Sequence, residues 1–310
     1  MNKISNRQVM CNVLMKAVTK DKQLCVLTSD SRGSASLTEF TKQYPENSIE
    51  TGIAEQNIVS IAAGLAHSGK RPFVASPACF LSMRSIEQVK VDVAYSNTNV
   101  KLVGISGGVS YGALGMSHHS AQDFAVTRAI PNLEVLCPAD RFETEAMFDY
   151  LTKSDKPAYI RLGRNPVEDV YDEIPEFKIG KAVELIKGKK IIIVAIGDPV
   201  GLALKVAEKL KKDNIQVTVI NMPSIKPFDD RYFKKNLPEY DQLISLEEHS
   251  IYGGLGSALS EIISKNKISI KHELIALADC PTICGTAAEI FEDNGLSIEN
   301  IVKIVKEGVD

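Results

Sequence analysis

The sequence predicts an α/β protein of two domains, each a mainly parallel sheet flanked by helices. Three observations carry this. Short apolar runs of strand character alternate with segments of helical period. An acid-rich run over residues 165–180, holding Pro166 and Pro175, interrupts the alternation, which restarts at Lys190. The length, 310 residues, suits two domains better than one. The expected division is a first domain over 1–165, a linker over 166–180 and a second domain over 181–310.

In chain order, residues 7–18 place Val9, Val13, Leu14 and Ala17 at helical spacing. Residues 24–28 form an apolar strand, 29–34 a polar loop, and a helix begins near Leu37. Residues 48–50 are strand-like. Glu55 precedes a small and apolar run, 58–64, that predicts tight packing. A turn at 69–72 leads to a strand at 73–76, a helix over 81–95 and a buried strand over 100–105. The next loop, 106–115, holds four glycines and leads into Ser117-His118-His119-Ser120. Strands at 132–137 and 158–162 bracket a helix over 141–151. The second domain reads as strands at 191–196, 215–221, 242–246 and 273–278, with helices over 201–212, after Gly253 and over 297–305.

The composition excludes several classes. A formal net charge of -3 gives no footprint for nucleic acid or an anionic membrane. No apolar stretch is long enough to span a bilayer, and residues 1–7 lack the apolar core of a secretion signal. The six cysteines stand in scattered apolar contexts and read as reduced and mostly buried; Cys280 and Cys284 lack the CxxC spacing. A cytoplasmic enzyme is the expectation. No phosphate loop, GxGxxG fingerprint, HExxH or ligand cluster with metal spacing occurs, so no metal site is expected in this chain.

What chemistry remains lies in three loops that follow strands, which a parallel sheet gathers at one edge. They carry Asp30 to Ser34, Glu55, and Ser106 to His119. Glu55 reads either as a helix-start acid favoured by the macrodipole or as a buried carboxylate with a partner. The His118–His119 pair after a glycine loop offers a proton-transfer group; either histidine can equally be structural.

At these residues the chain resembles transketolases. Gly52-Ile53-Ala54-Glu55-Gln56, Pro72-Phe73-Val74-Ala75, Gly115-Met116-Ser117-His118-His119 and the stretch from Arg128 to Asp140 are similar to the pyrimidine-binding domain of that family. Met222-Pro223-Ser224-Ile225-Lys226-Pro227 and the stretch from Glu247 to Gly256 are similar to its C-terminal domain. The family's diphosphate-binding domain has no counterpart, so the resemblance implies the C-terminal subunit of a split transketolase. It implies thiamine diphosphate as cofactor, with Mg²⁺ (or Ca²⁺) held by an N-terminal partner subunit in an α₂β₂ assembly. The small-residue stretches around Ala62-Ala63-Gly64 and Gly253-Gly254-Leu255-Gly256 are expected to help bury the interfaces.

The resemblance also implies roles. Glu55 occupies the place of the glutamate that hydrogen-bonds the aminopyrimidine, a role that calls for a protonated carboxyl, which burial favours. Phe80 or Met83 packs on the pyrimidine, and Asp30 lies in the cofactor loop. His118 matches the histidine near the reacting carbonyl. Arg7, Ser34 and Arg164 match phosphate-binding positions, where arginine suits by its fork geometry. Two positions depart from the family: Leu114 replaces an Asp that reads a donor hydroxyl, and Ser106 replaces a phosphate-contacting His. An apolar wall loses that readout, which implies a deoxy, branched or otherwise modified sugar as substrate. A 2-oxo acid dehydrogenase E1 β subunit, a deoxyxylulose-phosphate synthase fragment and a non-catalytic subunit of the same fold are the competing readings.

Overall fold

The computed structural model describes residues 4–308; the first three residues of the expected first domain and the last two of the second lie outside the described residues. The first half runs α1 (Asn6–Lys20), β1 (Leu24–Thr28), α2 (Thr38–Gln43), β2 (Ser48–Glu50), α3 (Glu55–His67) and β3 (Arg71–Pro77). Then α4 (Ile86–Gln88) lies between two π-helical stretches, Phe80–Arg84 and Val89–Tyr95. β4 (Lys101–Ile105), α5 (Asp123–Arg128), β5 (Glu134–Leu136), α6 (Arg141–Leu151) and β6 (Ala158–Leu162) complete this half. The second half runs β7 (Val183–Ile186), β8 (Ile191–Ala195), α7 (Pro199–Lys212), β9 (Val217–Asn221), β10 (Ser224–Lys226), α8 (Asp230–Asn236) and β11 (Gln242–Ser250). It ends with α9 (Leu255–Asn266), β12 (Lys271–Leu277), α10 (Ala287–Asp293) and α11 (Ile298–Glu307).

Two sheets result, in the orders β10-β5-β6-β4-β3-β1-β2 and β12-β11-β8-β9-β7. Among the described residues, only the edge strands β10 and β7 run antiparallel to their neighbours. The central strands are buried at every position, as strands covered by helices on both faces must be. The expected α/β class and flanked parallel sheets are therefore present. The expected strands and long helices are there too, with ends shifted by a few residues. The short elements β7, β10, α5, α8 and α10 have no counterpart in the sequence reading.

The segment 81–95 differs from expectation. It is not a regular α-helix; wide π turns replace most of it. In the first of the two stretches serine hydroxyls contribute. Ser82 Oγ donates to the Ala78 carbonyl at 2.7 Å and Ser85 Oγ to the Leu81 carbonyl at 2.6 Å, competing with the backbone ladder.

The two sheets are joined. β9 ends in one sheet at Asn221, and β10 begins in the other at Ser224. Ile192 and Val194 of β8, with Ile196 just beyond it, share one continuous buried cluster with Phe124, Val135 and Cys137 of the first half. Residues 163–182, between β6 and β7, form no helix or strand but are strapped down. Asp140 Oδ2 accepts from Val170 N at 2.7 Å and Tyr171 N at 2.9 Å, while its Oδ1 accepts from Glu143 N in the first turn of α6.

The seam between the sheets centres on Arg161 of β6, which is buried. Its guanidinium reaches Asp123 Oδ1 at 3.4 Å and Glu248 Oε2 at 3.2 Å, and donates to the Glu248 carbonyl at 2.6 Å. Glu248 Oε1 accepts from Val109 N at 2.7 Å. A Cβ on Gly107 would collide with Arg161, and one on Gly108 with both Arg161 and Glu248. These glycines let the loop lie against the ion pair.

The small-residue stretches expected at subunit interfaces also take part in the packing of this chain. Ala62 and Ala63 are buried inside it, leaving Gly64 exposed. Glu247 accepts from Leu255 N at 2.7 Å and Gly256 N at 2.8 Å, and a Cβ on Gly254 would collide with Glu247. Those glycines serve the start of α9.

This packing can be tested at two residues. Gly108 has φ +58°, so Gly108→Ala adds both backbone strain and a clash. It should cost about 2–4 kcal/mol in urea unfolding. His272 is held between the Ser260 and Ser245 hydroxyls, each at 3.1 Å, and burial lowers its pKa to about 4 despite the opposing pull of Glu273. The unfolded chain takes up this proton near the ordinary histidine value while the folded chain refuses it. Stability should therefore fall as pH drops from about 6.5 towards 4. His272→Gln should flatten that part of the profile in urea titrations across the window.

Candidate functional site

The strands of the first sheet end together, and the loops leaving β1, β2, β3, β4 and β6 gather at that edge. Glu55 is the first residue of α3, where the helix dipole favours an anion. It is also only 2 % exposed. Its Oε2 accepts from Arg84 Nη1 at 2.6 Å. The resemblance calls for a protonated carboxyl in a low-dielectric site; the structure gives the burial but, against that expectation, a cation as its partner. Arg84 closes the π turn Phe80–Arg84, and its guanidinium lies 4.2 Å from the Phe80 ring centroid. The wide turn stacks these two residues and leaves Met83 half exposed.

The glycine loop is closed at its base by an antiparallel bridge between Gly108 and Ser120. Its two histidines part company. His119 is buried, with Nδ1 at 2.8 Å from Thr282 Oγ1 and Nε2 at 2.9 Å from the Gly112 carbonyl, and is a satisfied structural residue. His118 has different neighbours. Its ring meets Phe80 edge-on at 5.3 Å and Tyr111 at 5.6 Å, and Nδ1 lies 3.0 Å from Ser117 Oγ. A cavity of about 200 Å³ borders His119, Asp279, Cys280 and Thr282, and neither His118 nor Phe80 lines it.

Beyond Tyr111 the line continues. The Arg164 guanidinium lies 5.1 Å from the Tyr111 ring centroid. Arg7, at the start of α1, donates to the backbone carbonyls of Ser34 and Arg164. Arg7 Nε and Arg164 Nη1 are buried without hydrogen-bond partners. Burial and then the Arg164 cation push the Arg7 guanidinium below its usual range, against a smaller opposing effect of Tyr111. Two close cations with unmet buried donors have the chemistry of an anion site.

Asp30 is exposed and stands at φ +53°. Its backbone N–H donates to Glu50 Oε1 at 2.7 Å, and Gly52 N donates to the same oxygen at 2.9 Å. Glu50 thus ties the Asp30 loop to the Glu55 loop. Burial alone would raise its pKa, but these bonds and the Thr28 hydroxyl bring it below the usual carboxylate range. Leu114 stands 54 % exposed, as does the nearby Met116 at 58 %. Ser106 is not at the cleft surface: it is fully buried, and its Oγ has no partner.

Sequence reasoning missed Arg84, Tyr111 and Glu50. None belongs to a spacing pattern; each acquires its place from how the loops fold. Glu55, Arg84, Phe80, His118, Tyr111, Arg164, Arg7 and Ser34 form one unbroken series of contacts along the sheet edge.

Residues 2–169 match the family model for the transketolase pyrimidine-binding domain, and residues 180–301 match that for the transketolase C-terminal domain. A subunit of the apulose-4-phosphate transketolase of Phocaeicola vulgatus is 42 % identical, covering 99 % of this chain and 98 % of the relative. A 6-deoxy-6-sulfo-D-fructose transketolase subunit of Clostridium sp. is 34 % identical, over 97 % of this chain and 93 % of the relative. A solved split-gene transketolase, described as an inactive β4 tetramer, superposes with TM-score 0.88 at 31 % identity, over 99 % of this chain and 98 % of that one. The chain belongs to the transketolase family, as the C-terminal subunit of a split transketolase.

Proposed function

We propose that this chain supplies the pyrimidine half of a thiamine diphosphate site and one wall of the donor-sugar site. The assembled enzyme moves a two-carbon ketol unit from a modified ketose to an aldose. In this reading residues 1–165 are the pyrimidine-binding domain, 166–180 the linker and 181–310 the C-terminal domain. An N-terminal partner subunit holds the diphosphate with Mg²⁺ (or Ca²⁺), in an α₂β₂ assembly in the cytoplasm. No helix among the described residues is long and apolar enough to cross a membrane.

The residues fit the pyrimidine ring: a carboxylate withdrawn from water at one end, and an aromatic face beside it. When bound, thiamine diphosphate supplies the electron sink for the transferred two-carbon unit. Glu55 makes the hydrogen bond to the ring nitrogen. Phe80 offers the ring its face, Met83 guards the rim, and Asp30 flanks the cofactor loop. His118 exchanges a proton with the reacting carbonyl oxygen. Arg7 and Arg164 grip the terminal anion of the sugar with their unmet N–H groups, and Ser34 completes that end. Leu114 makes the middle of the wall apolar, and Ser106 backs the loop from beneath.

The observation that carries this reading is the unbroken contact series from Glu55 to Ser34, which sets the carboxylate at one end and two cations at the other. A terminal anion agrees with the names of the two relatives, one a phosphate and one a sulfo sugar. The paired arginines favour such a donor over a 2-oxo acid.

The test is reconstitution with the partner subunit and a screen of ketose phosphates and modified ketoses against an aldehyde acceptor. A modified ketose with a terminal anion should be turned over faster than xylulose 5-phosphate, and Glu55→Ala should abolish transfer. Xylulose 5-phosphate turning over as fast as any other donor would sink the substrate reading; full activity of Glu55→Ala would sink the catalytic one.

A further inference from the structure

The Glu55–Arg84–Phe80 unit carries more than the role given to Glu55. Arg84 makes two contacts with one group: an ion pair at 2.6 Å to a carboxylate 2 % exposed, and a stack 4.2 Å from an aromatic centroid. Its own side chain is 45 % exposed, so nothing forces it inward except these partners. The π turn is what makes both contacts possible, because it brings residues 80 and 84 face to face. A side chain with free choice would extend into water.

We propose that Arg84 is a positioning residue for the cofactor site: one planar guanidinium sets both the carboxylate of Glu55 and the ring of Phe80. This rests on the reading of Glu55 above. A carboxylate turns readily about its last torsion, so a free Glu55 would not keep one oxygen aimed at a ring nitrogen. With Oε2 tied to Arg84, the other oxygen, Oε1, is left to address the cofactor ring. With the guanidinium over the Phe80 ring, 4.2 Å from its centroid, that ring is held beside the same carboxylate. Lysine would keep the charge and lose the planar stack. Methionine would keep the apolar stem and lose the charge.

The experiment uses the complex reconstituted with the partner subunit. Wild type, Arg84→Lys, Arg84→Met and Glu55→Gln are compared by three measurements: thiamine diphosphate affinity by calorimetry, deuterium exchange of the thiazolium C2 proton by NMR, and kcat with donor KM. Arg84→Met should slow exchange and kcat together by about tenfold or more, with donor KM within about twofold of wild type, the pattern of lost positioning rather than lost donor binding. Arg84→Lys should recover part of the exchange rate. Size exclusion verifies assembly; should Arg84→Met not assemble, Arg84→Lys against wild type reads the same split. Wild-type exchange in the Arg84 variants with slow exchange in Glu55→Gln would overturn the role of Arg84 and leave that of Glu55 standing. Wild-type exchange in Glu55→Gln would overturn both.

Discussion

Arg161 is the residue on which the rest of the structure leans. It sits at the seam of two sheets, buried, between Asp123 and Glu248. Burial opposes its charge, but the surrounding carboxylates more than offset this and keep its pKa raised. Such a pair adds little net stability over apolar packing, yet breaking one partner is costly. What it contributes is placement. Glu248 holds Val109 N, Gly107 and Gly108 lie against the guanidinium, and the loop is closed by Gly108 and Ser120. His118 reaches Phe80 because that base is fixed.

The candidate site has two ends with different electrostatics. At one end a buried carboxylate is matched by one cation. At the other, two arginines stand close with buried N–H groups unpaired. Aromatic rings, Phe80, the His118 imidazole and Tyr111, fill the distance between them. The arrangement suits a ligand with a planar ring near Glu55 and an anion near Arg164. Among the described residues no group of three His, Cys, Asp or Glu side chains is placed to hold a metal ion.

Much of the fold is legible in the sequence because the central strands are buried on both faces and so read as apolar runs. The antiparallel edge strands β7 and β10 are not: β10 has three residues and owes its existence to pairing with β5 across the chain. The π turns escape a reading by period, and in the first of them serine hydroxyls compete with the backbone ladder. In the site, Glu55 and His118 stand out by position and motif. Arg84 and Tyr111 do not, since their contacts depend on turn geometry. The glycine loop reads as ligand-facing, whereas Gly107 and Gly108 are small because Arg161 and Glu248 lie behind them.

The proposed half-site for the cofactor can be measured directly. The direct measurement is calorimetric titration of thiamine diphosphate with Mg²⁺ into the isolated chain and into its complex with the partner subunit. No measurable binding to the chain alone and one cofactor per chain in the complex are expected. Tight stoichiometric binding by the isolated chain would contradict the half-site.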